Sequence, residues 1–215
     1  MINFPEPDDK RCLQLLEESR PYLESLSNEM KINYVQPDYF QKIVIPLSVY
    51  LLSLPEREKP YFIGLNGGQG SGKTTLSDFV QVVLSDVSNK SVTGFSIDDI
   101  YKTREEREKQ SKEIHPLCKV RGVPGTHDVR MGLEVLDSLC NATKETLTPI
   151  PSFSKPLDRH KPKEDWKVFQ GKPDYIFFDA WCAGVRPISE ENWKPPMNAL
   201  EKEEDPDGIW SKWSN

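Results

Sequence analysis

The sequence predicts an α/β protein built around a mostly parallel sheet, and three observations lead to that prediction. A glycine-rich loop at residues 67–75 stands between an apolar run and an amphipathic stretch, in the order strand, loop, helix. Strand-like runs alternate with helical patterns along the rest of the chain. Two of those runs end directly at an aspartate, Asp98 and Asp179. Alternating strands and helices are typical of βαβ units, which wind a parallel sheet.

The first 58 residues are predicted to form an N-terminal helical extension, and residues 59–215 the main domain. Residues 8–30 have helical spacing that is interrupted near Pro21. A second helix is predicted over residues 38–54, bent or begun again at Pro46, because proline removes a backbone donor. The apolar positions of the first helix predict a packing stripe made of Leu13, Leu16, Tyr22, Leu23 and Leu26.

The main domain has three predicted strands, at residues 61–65, 91–97 and 175–178. Three helices are predicted between them, at residues 75–84, 104–113 and 128–139. The last of these has Asp128 as a suitable N-cap. Residues 115–126 and 148–163 are rich in proline or glycine and are predicted to be irregular. The tail from residue 187 shows no strand pattern.

The bulk composition indicates an ordinary protein that does not bind nucleic acid broadly. The chain has 215 residues and a net charge of −6, whereas broad nucleic-acid binding needs a basic surface. The cysteines stand far apart with no metal-ligand spacing, so reduced thiols and a cytoplasmic location are expected. No stretch is long and apolar enough to predict a membrane span, and no signal peptide is visible.

The glycine loop predicts a phosphate site. Residues 67–75 read G-G-Q-G-S-G-K-T-T and match the pattern G-x-x-x-x-G-K-[ST]. Glycines let successive backbone N–H groups point at phosphate oxygens, and the following helix N-terminus attracts anions. Lys73 can reach the β- and γ-phosphates, and Thr74 can offer its hydroxyl to Mg²⁺. We therefore expect a nucleotide to be held by the whole loop, Gly67, Gly68, Gln69, Gly70, Ser71, Gly72, Lys73, Thr74 and Thr75.

The two strand-end aspartates are predicted to complete the chemistry, because ligands of open α/β sheets bind beyond the carboxyl ends of the strands. Asp179 follows an apolar strand and is expected to hold Mg²⁺ with Thr74. Asp98 is the candidate base for a hydroxyl proton. The alternative for Asp98 and Asp99 is a turn or cap, and Asp99 is the better candidate for that structural role.

The intervening loops offer further polar groups whose roles the residues alone leave open. Arg121 can pair with a carboxylate or a phosphate in bidentate fashion. His127 can equally be an ordinary loop histidine. Lys155 and Arg159 lie in the proline-rich segment, where solvated charges need no special explanation.

Four motifs together resemble the D-glycerate 3-kinase family of P-loop kinases, which are related to phosphoribulokinase, uridine kinase and pantothenate kinase. The motifs are the glycine loop, S-I-D-D-I-Y at residues 96–101, H-P-L-C-K-V-R-G-V-P-G-T-H-D at 115–128 and F-D-A-W-C-A-G at 178–184. The resemblance covers residues 40–215 and implies a P-loop NTPase-type three-layer sandwich with ATP and Mg²⁺ at the loop. It implies a catalytic role for Asp98, and acceptor or phosphate contacts from Arg121, His127, Asp128 and Lys155. With the reasoning above, the expected catalytic residues are Lys73, Asp98 and Asp179, and Asp98 is also expected to contact the acceptor.

The implied function is ATP-dependent phosphorylation of a hydroxyl of D-glycerate or a similar small acid. Three departures from the family pattern keep alternatives open. Asp179-Ala180 stands where the family has Glu-Gly, and Pro151-Ser152-Phe153-Ser154-Lys155 stands where it has P-R-[FY]-D-K. Relatives also continue beyond the position of Asn215 with further strands and an arginine-bearing lid, so the sheet is expected to be incomplete, whether as a fragment or as a short form.

The alternatives are an ATP-binding protein without kinase activity, and a P-loop kinase for a nucleoside, pantothenate or a sugar. A GTPase is disfavoured, because the nearest run to the guanine motif N-K-x-D is Asn89-Lys90-Ser91-Val92, which lacks the aspartate.

Overall fold

The computed structural model describes residues 4–36, 38–189, 191–194 and 196–215. Within them the helices, in chain order, are α1 (Lys10–Glu29), α2 (Ile45–Leu52), α3 (Lys73–Val82), α4 (Arg104–Glu113), α5 (Val129–Cys140), α6 (Ala199–Glu204) and α7 (Ile209–Ser214). The strands are β1 (Tyr61–Asn66), β2 (Val92–Ser96), β3 (Leu147–Ile150), β4 (Phe153–Ser154), β5 (Arg159–His160), β6 (Lys167–Gln170) and β7 (Tyr175–Ala180).

The chain divides into two compact units. The first comprises residues 1–94 and 172–181, and the second comprises residues 95–171 and 182–215. The first unit contains the glycine loop with its flanking strand and helix, and the second contains the R-G-V-P-G-T-H-D loop and the proline-rich segment.

A three-stranded sheet in the order β1-β7-β2 confirms the predicted α/β class. β1 and β7 pair in parallel, with Gly64 opposite Phe178 and Leu65 opposite Asp179. The order places β7, the last strand of the chain, between the first two. β7 is buried along almost its whole length, which explains why its sequence Y-I-F-F-D-A is a continuous apolar run instead of an alternating one.

The core of the first unit lies where α1, α2 and α3 meet the inner side chains of the sheet. Phe79 and Val80 of α3 are fully buried, as are Val83 and Leu84 in the π-helical turn that continues α3, and Phe177 of β7 is 2% exposed. Burial of a side chain of this size contributes about 2–3 kcal/mol. The amphipathic stretch predicted after the glycine loop thus buries these four apolar residues, and Leu76 is partly buried.

α1 differs from its prediction in two ways. The helix continues through Pro21, whose ring is exposed, because its opposite face packs into the core and outweighs one lost backbone bond. Leu13 and Tyr22 are 43% and 45% exposed, so the predicted stripe was wrong at those positions. The buried face has spacings of three and four and includes two small residues that the apolar pattern overlooked: Cys12, Leu15, Leu16, Ser19 and Leu23.

The second unit contains two small antiparallel sheets of two strands each, and β3, β4 and β5 lie in or at the edge of residues 148–163, which were predicted to be irregular. β3 pairs antiparallel with β6, and β4 with β5. Pro149 lies inside β3 opposite Val168, and a two-stranded sheet tolerates it because each strand has a free edge. The prediction of irregular structure was therefore wrong at β3, β4 and β5. No helix among the described residues is both long and apolar enough to cross a bilayer.

Candidate active site

The glycine loop has the backbone conformation that its sequence predicts. Gly70 and Gly72 have φ angles of +73° and +84°, which side chains rarely allow. Gly72 is the N-cap of α3 and has no side chain that could cap the helix, so α3 begins with amides available to an anion. A Cβ atom on Gly67 would lie 3.0 Å from Ser71 Oγ, so the loop folds back closely on itself. These features fit a phosphate cradle.

Lys73 lies across this loop. Its Nζ donates to the Gly68 carbonyl oxygen over 3.0 Å, which keeps the ammonium group at the mouth of the cradle. The residues around it, Gly68, Gln69, Gly70, Ser71 and Gly72, are all exposed. Because its neighbours are exposed, the Lys73 ammonium group can bind phosphate oxygens without any rearrangement of the core.

Thr74 and Asp179 lie together although 105 residues separate them in the chain. Thr74 Oγ1 donates to Asp179 Oδ2 over 2.6 Å, and Asp179 is 7% exposed. A hydroxyl and a carboxylate beside a phosphate cradle are oxygen ligands of the kind Mg²⁺ uses, with phosphate oxygens and waters completing its shell. No group of three or more His, Cys, Asp or Glu side chains in the described part of the chain could hold a metal by itself. The residues present therefore fit a nucleotide-bound Mg²⁺.

In the second unit, Asp98 forms an ion pair with Lys155. Lys155 Nζ donates to Asp98 Oδ2 over 2.6 Å, and the Asp98 side chain is about one-third exposed. Burial acts to raise the pKa of Asp98, but hydrogen bonds from Lys155 and Tyr101 outweigh it and hold the pKa below the ordinary value. Asp98 is therefore ionised at neutral pH and can accept a proton from a hydroxyl.

Asp99 has the structural role that the sequence predicts for it. Asp99 Oδ2 accepts a hydrogen bond from the Ser96 backbone N–H over 3.0 Å, and Ser96 Oγ accepts from the Asp98 N–H over 3.2 Å. This capping box opens the 3₁₀ turn Ile97–Ile100 that follows β2. The turn leaves the neighbouring Asp98 side chain to the ion pair with Lys155.

His127 is buried beside this pair. It is 4% exposed, and its ring stacks on that of Tyr101 with 4.6 Å between the ring centroids. Its Nε2 is buried and has no hydrogen-bond partner in the described ranges of the chain. Desolvation lowers the pKa of His127 to about 4, against an opposing attraction from Asp98. Burial also raises the pKa of Tyr101, with its hydrogen bond to Asp98 acting in the same direction.

The lowered pKa of His127 makes the stability of the protein depend on pH. Protonation of His127 favours the unfolded chain, so the free energy of unfolding should decrease as the pH falls from about 6.5 toward about 4. Between pH 7 and pH 5 we expect the free energy of unfolding to drop by about 2 kcal/mol from this group. Urea unfolding of the wild type and of His127→Phe at both pH values isolates the contribution of His127, because the other titrating groups remain in both proteins. Equal pH slopes for the two proteins would contradict the prediction.

The other predicted acceptor residues separate into two kinds. Arg121 NH1 donates to the Lys155 carbonyl oxygen over 3.1 Å and lies 3.2 Å from Asp158 Oδ1, so it belongs to the same cluster. Asp128 instead caps α5, because its Oδ1 accepts from the Met131 N–H over 3.0 Å. The structure thus brings together Asp98, Arg121, His127 and Lys155 within the second unit, and the loop, Thr74 and Asp179 within the first.

Three residues of the second cluster escaped the sequence prediction. Tyr101 lies in the motif S-I-D-D-I-Y, but nothing in the pattern distinguishes it from a core tyrosine. Arg107 lies in a helix of mostly charged residues, where no pattern marks one side chain for burial, yet it is 3% exposed. Asp158 follows three residues after Lys155, where a proline-rich turn shows no periodicity that could assign it a role.

Curated relatives of the chain are kinases. The chain is 34% identical over 155 residues to "Uncharacterized kinase mug58" of Schizosaccharomyces pombe, a match that covers 68% of this chain and 55% of the relative. It is 32% identical over 150 residues to "D-glycerate 3-kinase, chloroplastic" of Arabidopsis thaliana, covering 66% of this chain and 32% of that protein. The chain thus spans about half, or less, of the length of these relatives. No family model matches it.

A solved structure supports the fold. The chain superposes on D-glycerate 3-kinase from Cryptococcus neoformans with a TM-score of 0.55 and 19% identity, covering 83% of this chain and 56% of the other. The parallel sheet and the glycine loop therefore define a P-loop kinase fold. More narrowly, the homologues of the chain include a D-glycerate 3-kinase and an uncharacterised kinase.

Proposed function

We propose that the protein is an ATP-dependent small-molecule kinase that transfers the γ-phosphoryl group to a hydroxyl of D-glycerate or a similar small acid. The hydrogen bond between Thr74 and Asp179 carries the proposal, because it joins the glycine loop to the acid at the end of β7. The relative named D-glycerate 3-kinase supports the choice of acceptor.

The first unit supplies nucleotide binding in this proposal. The backbone amides of the loop bind the phosphates of ATP, and Lys73 adds a positive charge at the mouth of the cradle. Thr74 and Asp179 are the residues that would hold Mg²⁺. When bound, Mg²⁺ neutralises charge on the phosphates. Phosphoryl transfer needs chiefly such positioning and charge neutralisation, so few covalent participants are required from the protein.

The second unit supplies acceptor recognition. Asp98 accepts the proton of the reacting hydroxyl, since it is ionised at neutral pH. Lys155 and Arg121 offer cationic groups to the carboxylate of a small acid. His127 presents a buried Nε2 that would gain a partner from a polar acceptor, which removes the cost of leaving it unpaired.

The decisive experiment incubates the purified protein with ATP, Mg²⁺ and D-glycerate, and follows ADP release and the phosphorylated product by phosphorus NMR. We expect ADP release that depends on D-glycerate and disappears in Lys73→Ala. Parallel reactions contain a nucleoside, pantothenate or a sugar. Efficient turnover of one of these instead would reassign the acceptor. ATP binding by calorimetry with no turnover of any acceptor would favour a nucleotide-binding protein without kinase activity.

A separate prediction concerns the metal contact of Asp179. Asp179→Asn should keep the hydrogen bond from Thr74 but lose the negative charge, so the gain in ATP affinity on adding Mg²⁺ should fall about tenfold. Calorimetric titrations with ATP in Mg²⁺ and in EDTA measure that gain without any need for turnover. The control is Asp86→Asn, an exposed aspartate elsewhere in the same unit. An unchanged Mg²⁺ effect in Asp179→Asn would exclude Asp179 from the metal site.

A further inference from the structure

The turn between β4 and β5 has an unusual last residue. The Asp158 N–H donates to the Lys155 carbonyl oxygen over 3.4 Å, so these two residues are the ends of the turn. Asp158 has a φ of +53°, in the left-handed region that non-glycine residues seldom adopt. Aspartate is among the few side chains that tolerate this conformation, but it costs free energy that other contacts of the residue must offset.

Those contacts begin with a buried arginine. The side chain of Arg107 is 4% exposed, and its NH2 group lies 2.5 Å from Asp158 Oδ1. Its Nε donates to the carbonyl oxygen of Lys102 over 3.2 Å, and its NH1 donates to that of Lys119 over 2.6 Å. Carbonyl oxygens satisfy hydrogen bonds but carry no charge, so Asp158 provides the negative charge that a buried guanidinium requires.

A second arginine uses the same carboxylate oxygen. Arg121 NH1 lies 3.2 Å from Asp158 Oδ1 and donates to the Lys155 carbonyl oxygen over 3.1 Å. Arg121 therefore holds both ends of the turn. Its guanidinium also lies 5.6 Å from the centroid of the Phe153 ring, at the start of the same hairpin. Asp158 joins α4, through Arg107, and the R-G-V-P-G-T-H-D loop, through Arg121, to one turn.

The residue that this turn presents is Lys155, whose Nζ lies 2.6 Å from Asp98 Oδ2. We propose that Asp158 is a positioning residue, which binds Arg107 and Arg121 together and so fixes the turn that presents Lys155 to Asp98. The inference rests on the proposed function, in which Asp98 is the base and Lys155 binds the acceptor. Asp158 acts through the two arginines and need not touch the substrate.

The test measures the reactivity of the Lys155 amine, which can be followed without kinase activity. A lysine held in an ion pair reacts slowly with an acylating reagent, and a loosened one reacts faster. In Asp158→Asn we expect the acylation rate of Lys155, measured by peptide mass spectrometry, to rise about threefold or more. Lys172 in the same sample is the internal reference, and Asp165→Asn, an exposed aspartate that follows the hairpin, is the matched control.

Three further variants separate positioning from simple loss of folding. Asp158→Glu keeps the charge and should return the Lys155 rate toward that of the wild type. Arg121→Gln leaves the buried pair of Arg107 and Asp158 in place and should raise the Lys155 rate partially. Asp98→Asn removes the partner of Lys155 and gives the upper limit of the rate. If Asp158→Asn does not fold, Arg121→Gln decides the question in its place.

The acylation rate of Lys155 can be measured whether or not the protein is an active kinase, so failure of the inference and failure of the proposed function are distinguishable. With kinase activity present, Asp158→Asn should raise the KM for the acceptor and lower kcat while the KM for ATP stays within about twofold, because the nucleotide contacts are untouched. With no kinase activity in the wild type, the proposed function fails but the Lys155 rate still decides the positioning role. A folded Asp158→Asn protein with an unchanged Lys155 rate would overturn the inference.

Discussion

Lys73→Ala is expected to weaken ATP binding about 10- to 100-fold and to lower turnover about 10²- to 10³-fold, the range for removing one charge-stabilising donor from an active site. The physical reason is the position of the ammonium group, which rests on the Gly68 carbonyl oxygen at the mouth of the glycine loop. Alanine leaves the backbone amides in place, so binding should weaken but not vanish. Calorimetry with ATP and measurement of kcat give the two effects separately.

The control for Lys73 is Lys172→Ala. Lys172 is exposed and precedes β7, so it lies at the end of that strand opposite to Asp179. Its removal changes the net charge by the same amount as Lys73→Ala and should leave ATP binding unchanged. If Lys73→Ala bound ATP as tightly as Lys172→Ala does, the glycine loop would not be the nucleotide site.

Asp98→Asn is expected to lower kcat about 10²- to 10⁴-fold, the usual contribution of a general base, with ATP affinity unchanged. Asparagine has nearly the same shape but cannot accept the hydroxyl proton, and it removes the ion-pair partner of Lys155. Steady-state kinetics with ATP and D-glycerate, together with ATP calorimetry, measure both quantities. Asp137→Asn, an exposed aspartate on α5, is the control.

The pH dependence of the wild type sharpens this test. Because the pKa of Asp98 is lowered, the active, ionised form persists throughout the neutral range and is lost only as the pH falls below the ordinary range of a carboxyl group. We therefore expect kcat to show no acidic decline from Asp98 between about pH 6 and pH 8. A wild-type level of kcat in Asp98→Asn would show that Asp98 is not the general base.

Local sequence patterns were sufficient to predict many of the strands and helices. The strands β1, β2 and β7 and the helices α3, α4 and α5 lie within a few residues of their predicted ranges, because apolar periodicity, glycine and capping residues act over short distances. Asp128 is the N-cap of α5 as its sequence position indicates. Phe79 and Val80 are fully buried, as their helical spacing predicts.

The errors arose where packing overrides local preference. α1 continues through Pro21 because its far face is buried in the core, a fact that no short window contains. The two small sheets of residues 147–170 depend on pairing between separate segments, and three of their strands lie in or at the edge of the segment that was predicted to be irregular. The charged sequence around Arg107 gives no sign that its side chain is buried. The burial is possible because its guanidinium pairs with the carboxylate of Asp158, 51 residues away in the chain.

By itself, the sequence determined the glycine loop with its flanking strand and helix, since their spacing alone sets the backbone that binds phosphate. It also indicated Asp98 and Asp179 as strand-end acids. The sequence placed Thr74 and Asp179 at one expected metal site, and the tertiary structure joins them by a hydrogen bond. Only the tertiary structure decided which side chains meet Asp98, namely Lys155 and Tyr101. Such pairings depend on parallel strands and hairpin turns that bring together residues as many as 105 positions apart, and local patterns carry no information over that distance.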